Sequence, residues 1–145
     1  MLLPHCLSTR IVRRVVLGKL LGCVLGGMAF VFLWVMDAAL GGRFLAGLWV
    51  GYIFLGAMIG LAGMLTRHPL LGFRMGFAVR GGMLGLIFHL ILVLVGYEVV
   101  QRFLKSSDWM VSWGFVSPWW MLVDGMLVGI FMDFVLTRLA GEGAE

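Results

Sequence analysis

Four long runs of apolar residues, separated by short polar segments, account for most of this chain of 145 residues. The runs lie at about 15–40, 45–65, 81–101 and 118–137, and they are continuous rather than alternating as a half-buried strand would be. Each run is long enough to cross a membrane, which takes roughly 20 apolar residues in a helix. Because backbone polar groups in lipid must be satisfied internally, the pattern predicts an all-α integral membrane protein with four transmembrane helices.

The composition agrees with burial in lipid. Charged residues make up 12% of the chain, about half of the roughly 25% usual in soluble domains, and hydrophobic residues make up 62%. A water-soluble domain of this size could not hide so much apolar surface, so the lipid bilayer is the first predicted partner.

The polar segments divide the chain into two transmembrane hairpins. The predicted parts, in order, are a basic tail at 1–14, a hairpin at 15–67, a loop at 68–80, a second hairpin at 81–138 and a tail at 139–145. Within the second hairpin, the segment 106–117 carries Trp109, Trp113 and Val116 on one helical face. Such a face is typical of a helix that lies flat in the membrane interface.

Basic residues are unevenly distributed between the two ends of the predicted helices. Eight of the eleven lie at the end with both termini and the middle loop: Arg10, Arg13, Arg14, Lys19, Arg67, Arg74, Arg80 and Arg138. All six Trp and both Tyr lie toward the other end, as in an aromatic belt. Cytoplasmic loops are enriched in Lys and Arg, so both termini and the middle loop are predicted to be cytoplasmic. The net charge of +4 thus indicates orientation, and no nucleic-acid partner is predicted.

The two hairpins share a spacing of polar residues. Asp37 follows Lys19 by eighteen residues, and Glu98 follows Arg80 by eighteen residues. This spacing favours a tandem repeat of one helical hairpin. The alternative is that the bilayer alone imposes basic and aromatic ends on unrelated helices, and both interpretations remain open.

Glycines recur at four-residue spacing in all four predicted helices, so they stack on one face of each helix. The predicted helix-packing residues are Gly18, Gly22, Gly26, Gly56, Gly60, Gly81, Gly85, Gly125 and Gly129. Small residues let helix backbones approach closely in lipid, which predicts glycine-zipper packing inside the bundle. Homo-oligomerisation through the glycines of the first helix is the alternative.

Three ionisable residues lie deep in the second hairpin: His89, Asp124 and Asp133. His89 continues the glycine face of its helix, and Asp133 continues the glycine face of the last helix. Pairing the two helices antiparallel predicts that His89 faces Gly129, that Asp133 faces Gly85, and that the two polar side chains are close neighbours.

Two interpretations of this intramembrane polar site are possible. In the first, His89, Asp124 and Asp133 form a path for protons or cations, because intramembrane carboxylates and histidines commonly relay them. In the second, the residues are structural: Asp133 pairs with Arg80 or Arg138, and His89 bonds a backbone carbonyl.

Enzyme motifs such as His-Glu-x-x-His, Cys-x-x-Cys and Gly-x-Ser-x-Gly are absent, and no metal or cofactor site is predicted. The sequence favours a non-enzymatic multi-pass protein of the bacterial inner membrane. We expect it to be a subunit or an accessory or assembly component of a membrane complex, as a homo-oligomer or with other proteins. The alternative is a small oligomeric proton- or cation-linked transporter or channel that uses His89, Asp124 and Asp133.

The orientation can be tested by labelling single cysteines in a background without Cys6 and Cys23. A membrane-impermeant reagent outside the cell should label a cysteine at Ser107, because this residue lies in the predicted outer segment, and should not label one at His68. The reverse pattern would place both termini outside.

Overall fold

The computed structural model describes residues 3–36, 41–65, 72 and 75–141, and their secondary structure is entirely helical. The helices are α1 (Leu3–Met36), α2 (Gly42–Ala62), α3 (Phe77–Ser106), α4 (Asp108–Ser112) and α5 (Trp120–Ala140). Among these described helices, α1, α2, α3 and α5 are long and apolar enough to cross a membrane. The predicted all-α architecture with four such helices is therefore confirmed.

Two helices begin earlier than the hydrophobic runs predicted. α1 starts at Leu3, inside the predicted tail 1–14, and α3 starts at Phe77, inside the predicted loop 68–80. Hydrophobicity marks the part of a helix that lies in lipid, whereas the backbone can continue the same helix beyond it. The 34 residues of α1 span about 51 Å at 1.5 Å per residue, well over the roughly 30 Å of a hydrocarbon layer.

The short helix α4 lies within the segment predicted to be interfacial. Its Trp109 side chain and the neighbouring Trp113 are exposed, and their ring centroids are 6.2 Å apart. Three residues used above for the charge patterns, Asp37, Arg67 and Arg74, lie outside the described residues.

Close glycine contacts hold α1 against α2 and α3 against α5. Gly18 and Gly56 face each other so closely that a Cβ on either would overlap the backbone of the other. Gly81 and Gly129 meet in the same way in the second hairpin. We call the end of the bundle near Arg14, Arg80 and Arg138 the basic end, and the opposite end, with Trp34, Trp49 and Trp120, the tryptophan end.

The two hairpins meet in two hydrophobic clusters. One cluster joins α2 to α5 through Leu55, Ile59, Met132 and Leu136, with leucines of α1 packed against it. The other lies at the tryptophan end, where α2 meets α3, and contains Leu45, Val100, Phe103 and Leu104. Between them, α3 is kinked at Gly96, which has non-helical backbone angles and lies against Phe44.

The glycine contacts predict a large difference between two otherwise similar substitutions. Gly129→Leu should lower the free energy of unfolding by more than about 1 kcal/mol, because its Cβ would overlap the backbone of Gly81. Gly47→Leu is the matched control, since nothing lies within 4 Å of a Cβ at that position. Thermal unfolding in detergent would measure both; equal stability of the two variants would contradict the close crossing.

Candidate functional site: two buried polar clusters

The first cluster, the arginine–aspartate cluster, consists of Arg14, Arg80 and Asp133 at the basic end. Arg80 donates two hydrogen bonds to the carboxylate of Asp133, from Nε to Oδ2 at 2.7 Å and from Nη2 to Oδ1 at 3.0 Å. Nη2 of Arg14 donates to the same Oδ1 at 3.0 Å. All three side chains are buried, with no more than 1% of their surface exposed. The cluster therefore links α1, α3 and α5 through charge-assisted hydrogen bonds.

The remaining nitrogens of the two arginines donate to backbone carbonyls in the last turn of α2 or just beyond the ends of α2 and α5. Nε of Arg14 donates to the carbonyl of Gly60 at 3.3 Å, and its Nη1 donates to the carbonyl of Gly141. Nη1 of Arg80 donates to the carbonyl of Leu65 at 3.3 Å. Carbonyls at helix C-termini lack intrahelical partners and carry partial negative charge, so the guanidinium groups satisfy them.

Glycines make room for this large buried side chain. Arg14 precedes Gly18 by one helical turn, on the glycine face of α1. The Arg14 guanidinium lies directly against Gly63, where a Cβ would overlap it. The Arg14 side chain can therefore lie inside the bundle because α2 has glycines opposite to it.

The structure shows one of the two predicted charge partners of Asp133. Arg80 pairs with it, whereas Arg138 has its guanidinium carbon 5.1 Å from the centroid of the Phe134 ring, a cation–π contact. Arg138 follows Asp133 by five residues, which places it about 140° around the helix and away from the carboxylate.

The second cluster, the histidine cluster, consists of Tyr52, His89 and Asp124. Nδ1 of His89 is 3.1 Å from the carbonyl of Gly85. Since a carbonyl oxygen only accepts, Nδ1 carries the proton, and in the neutral ring Nε2 is the acceptor. The Tyr52 hydroxyl, 3.3 Å from Nε2, then donates to it.

Asp124 completes the histidine cluster from α5. Its Oδ2 lies 3.7 Å from Nε2 of His89. His89 is fully buried, whereas 61% of the Asp124 side chain is exposed. If the imidazole gains a second proton, Nε2 becomes a donor toward the carboxylate, so the arrangement can take up a proton on a buried ring beside an accessible acid.

The predicted pairing of His89 with Asp133 is wrong. The imidazole lies against Gly125 rather than Gly129, one turn away from the predicted register, and Gly81 is level with Gly129 and the Cβ of Asp133. The eight residues from Gly81 to His89 put the two polar clusters about 12 Å apart along α3. This register brings Asp133 level with Arg80 at the start of α3, which the predicted register would not have done.

The backbone contacts between α3 and α5 separate the two clusters. Gly85 lies against the backbones of both Gly125 and Gly129, so close that a Cβ would have no room. Asp133 therefore lies on the other side of this helix crossing from His89 and Asp124.

A cavity of about 730 Å³ lies beside the histidine cluster, toward the tryptophan end. Among the described residues, its lining is mainly apolar and aromatic, with Leu25, Leu33, Leu48, Phe103, Trp109 and Trp120 among its members, and it also includes Tyr52 and Asp124. These side chains come from both hairpins, so the cavity lies between them. Its volume is in the range of small-molecule binding sites.

Sequence reasoning missed two members of the clusters, Arg14 and Tyr52. It assigned Arg14 to a basic tail and Tyr52 to the aromatic belt. Four-residue spacing could have found both, because Arg14 lies one turn before Gly18, and Tyr52 lies one turn before Gly56. Each glycine face thus ends in a polar side chain that enters the bundle.

No protein-family model, curated protein or solved structure matches this chain. Any functional argument therefore depends on the geometry of the two clusters and the cavity. Among the residues that the structure describes, no group of three or more His, Cys, Asp or Glu side chains is placed to hold a metal ion.

Removing one member of the arginine–aspartate cluster should lower the free energy of unfolding strongly. Asp133→Leu leaves two buried guanidinium groups without their carboxylate, and we expect a loss of about 3–5 kcal/mol of stability. The matched control is Glu98→Leu, at an exposed acid on α3, which should lower the free energy of unfolding far less.

The losses of stability from Asp133→Leu and His89→Leu should be additive in the double variant, since the sites are about 12 Å apart. Strong coupling in equilibrium unfolding would contradict the separation of the clusters.

Proposed function

We propose that this protein is a non-enzymatic subunit, or an accessory or assembly component, of a membrane complex. The observation that carries the proposal is the arginine–aspartate cluster, in which Asp133 is held by Arg14 and Arg80. Ionisable groups deep in a bundle are usually functional or structural ties, and these three satisfy each other across three helices. In this proposal the cluster holds α1, α3 and α5 in one arrangement, and a subunit that other proteins bind needs such a rigid bundle.

The helix α1 provides the surface for a partner in this proposal. Of the four described spans, α1 buries the smallest share of its residues. Its glycine face is used by α2, and its opposite face presents an exposed apolar stripe: Leu20, Val24, Met28, Val31 and Val35. Close packing of a second helix on this stripe, rather than lipid alone, is the proposed contact.

The proposal includes the location and origin of the chain. The concentration of basic residues at one end supports a bacterial inner membrane protein with both termini in the cytoplasm. The likeness of the two glycine crossings, Gly18 with Gly56 and Gly81 with Gly129, supports a tandem duplication of one hairpin.

Photocrosslinking in native membranes would test the partner surface. A photoreactive amino acid at Met28 should give a discrete adduct with another polypeptide, because this residue lies in the middle of the α1 stripe. The matched control is Ile91 on α3, which is similarly exposed and should give mainly lipid adducts. Two differently tagged copies would identify self-adducts. Lipid adducts alone at both positions would contradict the proposal.

The second candidate function is a small oligomeric transporter or channel for protons or cations. It is favoured by one observation, the exposed Asp124 beside the buried His89 at the wall of a cavity. Purified protein in liposomes with an internal pH-sensitive dye would test it. Proton flux that Asp124→Asn abolishes and Glu98→Gln leaves intact would favour the transporter over the scaffold. Flux no higher than in empty liposomes would reject it.

A further inference from the structure

The cavity at the tryptophan end is large enough for a small molecule and is lined mainly by apolar side chains. Its volume of about 730 Å³ is comparable to that of pockets for drug-sized ligands. Phe32 of α1 and Leu127 of α5 both line it and are both about half exposed. Partly exposed apolar side chains of α1 and α5 therefore border the cavity, on helices that we expect to contact lipid.

Among the described lining residues, the charged group is the carboxylate of Asp124. A carboxylate next to apolar side chains is more stable when a cationic or hydrogen-bonding partner pairs with it. Among the described residues, His89 is the basic group within 4 Å of it, at 3.7 Å. In the neutral ring, however, Nδ1–H of His89 is directed to Gly85 and Nε2 accepts from Tyr52, so the ring offers Asp124 no proton.

The wall therefore presents a hydrogen-bond acceptor with negative charge, and this determines which head group fits. A primary ammonium supplies three donors and the complementary charge. The rings of Trp109, Phe115 and Trp120 line the same cavity and offer π faces, which attract cations. A carboxylate or phosphate head group would instead be repelled by Asp124.

We propose that this cavity binds a single-chain amphiphile with a primary ammonium head group, which pairs with Asp124 while its alkyl chain fills the apolar space between the hairpins. The volume favours one chain over the two chains of a phospholipid. The site is independent of the proposed scaffold role, because it uses neither the arginine–aspartate cluster nor the outer stripe of α1.

The probe for this site is 12-bromododecylamine, because bromine quenches tryptophan fluorescence on contact and Trp109 and Trp120 line the cavity. The protein would be titrated in nanodiscs of phosphatidylcholine. We expect saturable quenching by the amine, with binding at least about tenfold tighter than that of 12-bromododecanol and no saturable binding of 12-bromododecanoate. Equal quenching by all three probes would reflect partition into lipid and would overturn the proposal.

Two pairs of variants locate the binding. Asp124→Asn should remove the preference for the amine over the alcohol, while Glu98→Gln should retain it. Ala29→Phe fills the cavity without touching Asp124 and should abolish saturable binding, while Ala78→Phe, at an exposed position outside the lining, should not. Unchanged amine binding in Ala29→Phe would overturn the proposal even if Asp124→Asn failed to fold.

The composition of the bilayer distinguishes a free amine from a lipid head group. Replacing half of the phosphatidylcholine with phosphatidylethanolamine should leave binding of the amine unchanged if the site takes a single chain. A loss of amine binding that depends on Asp124 would assign the cavity to the diacyl lipid and overturn the single-chain assignment.

Discussion

The burial of one carboxylate, that of Asp133, between two guanidinium groups is the interaction on which the arrangement of the two hairpins depends. An isolated charge in this apolar surrounding would be prohibitively costly, and removing a partner from a buried ion pair is strongly destabilising. Arg14 lies on α1, which packs with α2, whereas Arg80 and Asp133 lie on α3 and α5, which pack with each other. Arg80 and Asp133 can pair within the second hairpin, whereas Arg14 contacts the Asp133 carboxylate because the two hairpins pack together at the basic end.

Glycine allows the two helices within each hairpin to pack closely. Backbone contact between Gly18 and Gly56, and between Gly81 and Gly129, brings each pair of helices close enough for their polar ends to meet. At the opposite end, aromatic side chains such as Trp109 and Trp120 line a cavity of about 730 Å³ between the hairpins. Asp124 lies in the wall of this cavity, whereas Asp133 lies in the arginine–aspartate cluster at the basic end.

Part of the candidate site could be predicted from the sequence, namely which residues share a helix face. Four-residue spacing places residues on one helix face, so the glycines and the polar residue that follows them could be assigned to common faces. The same rule reaches Arg14 and Tyr52, but position near a predicted span end suggested a tail and an aromatic belt for them. The pairing of His89 with Asp133 failed because a shift of one turn leaves every residue on the same face and changes all of its partners.

By itself, the sequence determined that the chain is all-α, that four helices are long and apolar enough to span a membrane, and which faces carry glycine. These properties are local, since they follow from hydrophobicity and helical periodicity within each segment. Only the tertiary structure decided that Asp133 pairs with Arg14 and Arg80, that His89 lies with Tyr52 and Asp124, and that a cavity separates the hairpins at one end. Those features depend on the register and separation of different helices, which are set by the summed contacts of side chains distant in the chain.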